Sequence, residues 1–123
     1  MPVVVKGCPA DARWEMNGRL LEAAQTYLGL RYPVEVTVTG LRKAAGRYKG
    51  MREGKHQITV SRYLTCPATV GRTLWHEMTH AKQREAYRME ADFWRAYAAD
   101  NLMEAAADAS ETLNERMPLC APR

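Results

Sequence analysis

The stretch from Thr73 to Gln83 reads Thr-Leu-Trp-His-Glu-Met-Thr-His-Ala-Lys-Gln and places two histidines four residues apart. Apolar residues recur through it at the period of an amphipathic helix with one core-facing side: Val70, Leu74, Met78 and Ala81. On such a helix, positions four apart share a face, so His76 and His80 point in the same direction. The chain must therefore fold around a long helix that carries two neighbouring imidazoles.

Two imidazoles at this spacing can bind one zinc ion at roughly 2.0–2.1 Å each. Glu77 follows the first histidine, so its carboxylate lies beside such a metal without binding it and can take a proton from an attacking water. The pattern therefore predicts metal-assisted hydrolysis, most often of a peptide bond. Two histidines that were only exposed surface residues would not require an apolar face on the same helix.

Composition restricts the other classes of function. A chain of 123 residues suggests one domain over 1–123, and its 46% hydrophobic and 26% charged residues are typical of a globular protein. The net charge of +4 is mild and no run of Lys and Arg stands out, so nucleic acid is not expected as a partner. No stretch approaches about 18 apolar residues, and residues 1–8 lack the basic start of a signal peptide. We therefore expect a cytoplasmic protein without a membrane span.

The periodicities along the chain predict a small α+β domain with an N-terminal helix, a three-stranded sheet, the histidine-bearing helix and C-terminal helices. The first helix is expected over 12–29, with Asp11 as its N-cap and Gly29 as its end. Strict alternation predicts a strand over 33–39, and two further runs predict a hairpin over 46–51 and 56–61. Thr69 is a possible cap for the histidine-bearing helix. Two more helices are expected, over 90–99 and 102–117.

A catalytic zinc takes three protein ligands, so a third must come from elsewhere in the chain. Histidine does not supply it, because His56 precedes the motif and Gln83 and Ala86 occupy positions that metzincins reserve for Gly and His. The remaining candidates are carboxylates: Glu85, Glu90, Asp92, Asp100, Glu104, Asp108 and Glu111. Asn101 to Glu104 has the form of a capping box, which would place Glu104 in the first turn of a new helix, and Glu111 is the next candidate.

The motif His76-Glu77-x-x-His80 followed by Glu104-Ala-Ala-Ala-Asp108 resembles the pattern of gluzincin metallopeptidases, over about residues 56–117. The short chain is also similar to minigluzincins and to small zincin-like proteins of phages and bacteria. This resemblance implies a zincin-like fold, Glu104 as the third zinc ligand and Asp108 as the carboxylate that orients a ligand histidine. It also implies that an edge strand above the active helix pairs with the substrate backbone, for which residues 56–61 fit best.

The expected reaction is hydrolysis of a peptide or protein substrate, with Glu77 as general base and a further donor for the oxyanion. Tyr97 is the first candidate for that donor, followed by Tyr87, His56 and Arg88. The oligomeric state stays open.

The alternative function is a latent or inactive zinc-binding module that acts by binding. In that case the tail from Met117 to Arg123 could lie in the cleft. A thiol at Cys8 or Cys120 could then fill the open zinc position, although free, unengaged thiols are the simpler expectation for three scattered cysteines without a CxxC pair.

Overall fold

Residues 3–123 are described by a computed structural model; Met1 and Pro2 lie outside the described residues. Within this range the chain forms an α+β fold of two sheets, four α-helices and one 3-10 helix. The elements run in the order β1 Val3–Lys6, β2 Trp14–Met16, α1 Gly18–Leu28, β3 Val34–Thr39, β4 Gly46–Arg52, β5 Lys55–Ser61, α2 Pro67–Arg84, α3 Glu90–Ala99, α4 Leu102–Ser110, the 3-10 helix Glu111–Glu115 and β6 Cys120–Pro122.

The larger sheet has the strand order β1-β3-β5-β4. β1, β3 and β5 are parallel, and β4 runs antiparallel to β5. The three predicted strands are confirmed, and the alternation of β3 has its expected cause, because Val34, Val36 and Val38 are buried against the helices. The sequence analysis missed β1, a short run of three valines that needs β3 beside it to complete its hydrogen bonds.

The expectation that residues 56–61 form the edge strand is wrong. β5 lies between β3 and β4, so both of its sides are hydrogen-bonded. The edge on this side of the described sheet is β4. A hairpin pattern shows that two strands pair with each other, but it does not show which of the two also pairs with a third strand. Here β5 is the strand that also pairs with β3, in parallel orientation.

The expected start of the first helix is also wrong. α1 begins at Gly18, with Asn17 as N-cap accepting from the Leu20 amide at 3.1 Å, and it ends at the left-handed Gly29 as expected. The preceding residues form β2, which pairs antiparallel with β6 at the far end of the chain. Trp14 is fixed there, because its Nε1 donates to the Leu64 carbonyl at 2.7 Å and the ring is fully buried. The residue paired with Trp14 is Pro122, 108 positions further along the chain, and such a distant partner cannot be seen from local periodicity.

The histidine-bearing helix α2 packs on the core as predicted. Its apolar face, formed by Val70, Leu74, Met78 and Ala81, is fully buried. The helix starts earlier than expected, with Cys66 as N-cap and Pro67 in the first turn. α3 has the predicted bounds, whereas the last predicted helix ends at Ser110 and continues as the 3-10 helix. No helix between Val3 and Arg123 is long and apolar enough to cross a membrane.

Candidate metal centre

The polar face of α2 lies beneath the edge strand β4 and beside α3 and α4. Burial of the opposite, apolar face fixes the rotation of α2, so His76, Glu77 and His80 border one cavity of about 330 Å³. The other lining residues come from β4, α3 and α4: Gly46, Arg47, Tyr48, Trp94, Tyr97 and Glu104. The structure thus brings together five of the six site residues predicted from the sequence.

Glu104 reaches both histidines from the first turn of α4. Its Oε1 lies 2.5 Å from Nε2 of His76, and its Oε2 lies 3.4 Å from Nε2 of His80. Glu104 therefore does not take part in the predicted capping box. Asn101 is the N-cap but makes no side-chain capping bond within the described chain, and Asp100 accepts from the Leu102 amide at 2.8 Å instead.

The orientation of His80 follows from its contact with Gln83. Nε2 of Gln83 lies 2.9 Å from the Met103 carbonyl oxygen, which can only accept a hydrogen bond. This fixes the amide, so that its Oε1 faces Nδ1 of His80 at 2.7 Å, and Nδ1 must carry the proton. Nε2 of His80 is then the nitrogen with the free lone pair, and it points into the cavity.

Nε2 of His80 is buried and has no hydrogen-bond partner among residues 3–123. This Nε2 lies 3.4 Å from Oε2 of Glu104, but both atoms present lone pairs to each other, so this contact is not a hydrogen bond. A buried polar atom of this kind normally has a hydrogen-bond partner, so the free lone pair of this nitrogen indicates that a further ligand binds here. A metal ion is one ligand that would accept this lone pair.

Two carboxylates face the other nitrogen of His76. Oε2 of Glu111 lies 2.9 Å from Nδ1, and Oδ1 of Asp108 lies 3.2 Å from it. The Glu111 side chain is one-third exposed, whereas that of Asp108 is two-thirds exposed. The sequence analysis considered Glu111 only as a metal ligand, yet the structure places it behind His76, where it shares with Asp108 the position from which a carboxylate orients an imidazole.

Carboxylates crowd around His76. Burial opposes protonation of this imidazole most strongly, but the neighbouring carboxylates, led by Glu77 and Glu111, outweigh it and raise the pKa of His76 above its ordinary value. Burial also disfavours the charged form of Glu104, but the Tyr97 hydroxyl and the two histidines hold its pKa below the ordinary range. The cavity is therefore a place where positive charge is favoured.

Glu77 has the environment of a general base. Burial raises the pKa of Glu77 to about 7, with Glu104 and Glu111 acting in the same direction and His76 and the Tyr48 amide acting against it. A carboxyl group with a pKa near neutrality can both accept and release a proton at working pH. Its position beneath β4 keeps it away from bulk water, since the residue is only 7% exposed.

Tyr97 contacts the centre from α3. Its hydroxyl donates to Oε2 of Glu104 at 2.6 Å, and its ring lies edge-on to that of His80. The hydrogen bond to Glu104 raises the pKa of Tyr97 to about 12, so the hydroxyl keeps its proton. The hydroxyl therefore serves as a hydrogen-bond donor at the cavity wall.

The other three candidates for an oxyanion donor do not line this cavity. His56 is fully buried, where Tyr48 donates to its Nδ1 at 2.8 Å and its Nε2 donates to Glu85 at 2.7 Å. Tyr87 and Arg88 border a separate depression beside Glu85. None of the three faces the metal-binding atoms.

The donors at the cavity are those that zinc prefers, namely imidazole nitrogen and carboxylate oxygen. Ligand atoms of His76, Glu77 and His80 lie within 4.8 Å of one another, and so do those of His76, Asp108 and Glu111. Glu104 is a better third ligand than Glu77, because it approaches Nε2 of both histidines from a separate helix. The residues that could hold zinc are therefore His76, His80 and Glu104.

The C-terminal tail does not lie in this cavity. Cys120 is buried in β6, which pairs with β2, and burial raises the pKa of its thiol to about 12. Cys8 is half-buried and packs against the core. The structure therefore does not support the alternative in which the tail plugs the cleft, because residues 120–122 pair with residues 14–16 near the other end of the chain.

Comparisons of the chain with protein-family models, with curated proteins and with solved structures gave no match. The site is therefore interpreted from its own geometry. Sequence reasoning missed Gln83 and Trp94, and it missed the contribution of β4 to the cavity wall. Gln83 carried a usable signal, because it lies three residues after His80 and so on the same side of α2.

Proposed function

We propose that this protein is a zinc-dependent metallopeptidase with a zincin-like fold. The observation that carries the proposal is the convergence of three side chains from two helices, with Nε2 of His80 buried and unpaired in the described chain. His76, His80 and Glu104 would hold the metal. Zinc bound there would act as a Lewis acid that polarises the carbonyl under attack and makes a water more acidic.

Glu77 performs the proton transfers in this proposal. It takes a proton from the attacking water, which becomes bonded to the carbonyl carbon, and it then delivers that proton to the amine as the C–N bond breaks. The products are a carboxylate and an amine, so one water is consumed for each bond cleaved. The raised pKa of Glu77, about 7, supports both transfers.

Tyr97 stabilises the negative charge that develops on the carbonyl oxygen. Its hydroxyl keeps its proton, which it donates to Glu104 at 2.6 Å, so the hydroxyl would have to turn from Glu104 to the oxyanion as the charge develops. The ring already lies at the cavity wall, which limits the rearrangement that this donor needs. Oxyanion stabilisation is therefore assigned to Tyr97 rather than to the buried His56.

The substrate would lie in extended form along β4. Gly46 and Tyr48 of this strand border the cavity, and the outer edge of β4 has no strand partner among the described residues. Free backbone N–H and C=O groups on an edge strand can pair with an added peptide. The position of β4 over Glu77 would bring the paired peptide to the catalytic base.

Replacement of the base tests this function. Glu77→Gln should retain stoichiometric zinc and lose at least about 100-fold in hydrolysis of an unfolded protein substrate, because a general base is lost and no ligand is removed. Glu115→Gln, an exposed position on the 3-10 helix, is the matched control and should behave like the wild type. A zinc-loaded wild type without any turnover of a broad peptide mixture, or a fully active Glu77→Gln variant, contradicts the proposal.

A further inference from the structure

The positive charge of this protein is concentrated in one short segment. Residues 42–55 hold six of the 18 basic residues and one of the 14 acidic residues. The rest of the chain has twelve basic and thirteen acidic residues, a net charge of −1. The basic residues of the segment are Arg42, Lys43, Arg47, Lys49, Arg52 and Lys55, and we call them the β4 basic edge.

The β4 basic edge is exposed and unneutralised. All six side chains are exposed, and none of them forms an ion pair with a carboxylate in the described chain. Arg42 instead stacks on the ring of Tyr63, with 4.4 Å between the guanidinium carbon and the ring centroid. Arg47, Lys49 and Arg52 lie on β4, whereas Arg42 and Lys43 precede it and Lys55 begins β5. Unpaired cations so close in the chain make a local positive potential that attracts anions.

The pleat of β4 sets the direction of these charges. Tyr48 pairs with Ile58 on the buried face, so its neighbours Arg47 and Lys49 project from the opposite face of the strand. Arg47 also borders the cavity that contains Glu77. The cations therefore alternate along the strand that bounds the candidate metal centre.

We propose that the polypeptide cleaved by this protein is acidic, with carboxylate side chains at alternate positions of the segment that pairs with β4. The inference rests on the proposed function. Side chains directly opposite one another on neighbouring strands have Cβ atoms roughly 4.5–5.5 Å apart, so Asp or Glu residues two apart would face Arg47 and Lys49 on the same side. The intervening residue points to the other face, toward the cavity.

A polypeptide fits this edge better than a nucleic acid does. Among the described residues β4 has no strand partner on its outer side, although its Tyr48 and Met51 amides already interact with Glu77 and Glu90. A peptide backbone carries both donors and acceptors, so it can pair with the backbone groups of β4 that remain. A phosphate backbone only accepts hydrogen bonds, so it would leave the β4 carbonyls without partners.

The test measures binding by fluorescence anisotropy on the zinc-loaded Glu77→Gln protein, so that no peptide is cut. Three labelled peptides of one length are compared: Glu at two alternate positions, Gln at those positions, and Glu at two adjacent positions. We expect the alternate-Glu peptide to bind roughly three- to tenfold more tightly than the Gln peptide at low salt, because each exposed ion pair contributes about 0.2–1 kcal/mol. The preference should shrink as salt rises.

Charge-removing variants locate the surface. Arg47→Gln with Lys49→Gln should abolish the preference, whereas Arg19→Gln with Arg116→Gln, two exposed cations outside the segment, should retain it. Equal binding of the three peptides, an unchanged preference in the β4 variant, or tighter binding of a single-stranded DNA 12-mer overturns the inference.

The two proposals can fail separately. Acidic preference in binding, together with no turnover by the wild type, removes the peptidase function and leaves the acidic-peptide surface. If the wild type cleaves peptides at a rate that does not depend on their charge, the peptidase function stands and the proposed acidic-peptide surface is contradicted.

Discussion

Gln83 connects the two helices that carry the proposed metal ligands. It accepts a hydrogen bond from Nδ1 of His80 and donates to the carbonyl of Met103, the residue before Glu104. One side chain therefore fixes the tautomer of His80 and helps to hold Glu104 near it. Such a contact acts before any metal is present, because it leaves Nε2 of His80 as the free nitrogen.

The first prediction concerns this residue. Gln83→Met keeps the length of the side chain but removes both hydrogen bonds, so zinc affinity should fall by roughly 10–100-fold in a chelator competition. In the metal-free protein, nitrogen chemical shifts should show the His80 proton leaving Nδ1 for a mixture of tautomers. Gln57→Met, on β5, is the control and should change neither quantity. An unchanged His80 tautomer in Gln83→Met would show that Gln83 only fills space.

The second prediction separates the two carboxylates behind His76. Glu111 is closer to Nδ1 than Asp108 and is less exposed, so its hydrogen bond is less weakened by water. Glu111→Ala should therefore reduce zinc affinity by about 10-fold or more, and Asp108→Ala should have the smaller effect. Glu115→Ala serves as the unaffected reference. A larger loss of zinc affinity in Asp108→Ala than in Glu111→Ala would show that Asp108 orients His76, as the sequence pattern indicates.

Strand β4 is held over the helices by contacts on its buried side. Its pairing with β5 shifts register between Tyr48 and Met51, which is a bulge at Gly50. Glu90, at the start of α3, accepts from the Met51 amide at 3.1 Å and from Nε of Arg84 at 3.0 Å. The bulge is thus fastened to both α2 and α3.

A second buried connection runs from Tyr48 through His56 to Glu85 at the end of α2. Burial lowers the pKa of His56 despite the neighbouring Glu85, so the imidazole is held neutral and donates through Nε2. The contacts of Glu90 with the bulge and the connection from Tyr48 to Glu85 together set the distance between the edge strand β4 and Glu77. The bounds of the strand alone do not determine that distance.

The third prediction tests the fastening at the bulge. Gly50 and Gly54 both have a left-handed φ, of 91° and 74°, so alanine strains the backbone at either position. A Cβ at Gly50 would lie 2.6 Å from Oε1 of Glu90, whereas at Gly54 it meets nothing within 4 Å in the described chain. Gly50→Ala should therefore lose roughly 1–3 kcal/mol more unfolding free energy than Gly54→Ala in urea titrations. Equal losses would mean that Glu90 moves aside without consequence.

The two ends of the chain meet in the small sheet of β2 and β6, and Cys120 and Pro122 of β6 border a depression that also contains Asp108 and Glu111. Leu119 is fully buried beside this sheet, and Trp75 of α2 donates through Nε1 to the Met117 carbonyl at 3.0 Å. The Asn114 side chain accepts from the Leu119 amide at 3.0 Å and lies against Gly71. The C-terminal residues therefore support the back of the helix whose front carries the histidines.

The fourth prediction follows from this arrangement. Leu119→Ala should lower the free energy of unfolding by about 2–5 kcal/mol, because it leaves a cavity in the core. Leu102→Ala makes the same change at a residue that is 75% exposed and should have little effect. A chain that ends at Met117 should be less stable and no more active than the full chain. A gain in peptidase activity on truncation would mean that the tail restrains the cleft after all.

The features of this protein that depend on local backbone geometry can be predicted from its amino-acid sequence. The face shared by His76 and His80, the buried side of α2, the alternation of β3 and the bounds of α3 all follow from helix and strand periods. These features need no knowledge of what lies opposite them, because the repeat of the backbone alone places the side chains.

Which groups face one another across the fold depends on long-range packing, and the sequence pattern does not reveal it. The tertiary structure placed Glu104 at Nε2 of His76 and Glu111 at Nδ1, and it made β4 the edge strand in place of β5. It also paired β2 with β6 from opposite ends of the chain. Such contacts join residues that lie tens of positions apart in the chain. Several carboxylates share one face of α4 and the following 3-10 helix, and the sequence does not show which of them contacts His76. The packing of α4 against α2 selects among them, because it fixes which oxygen comes within bonding distance of which nitrogen.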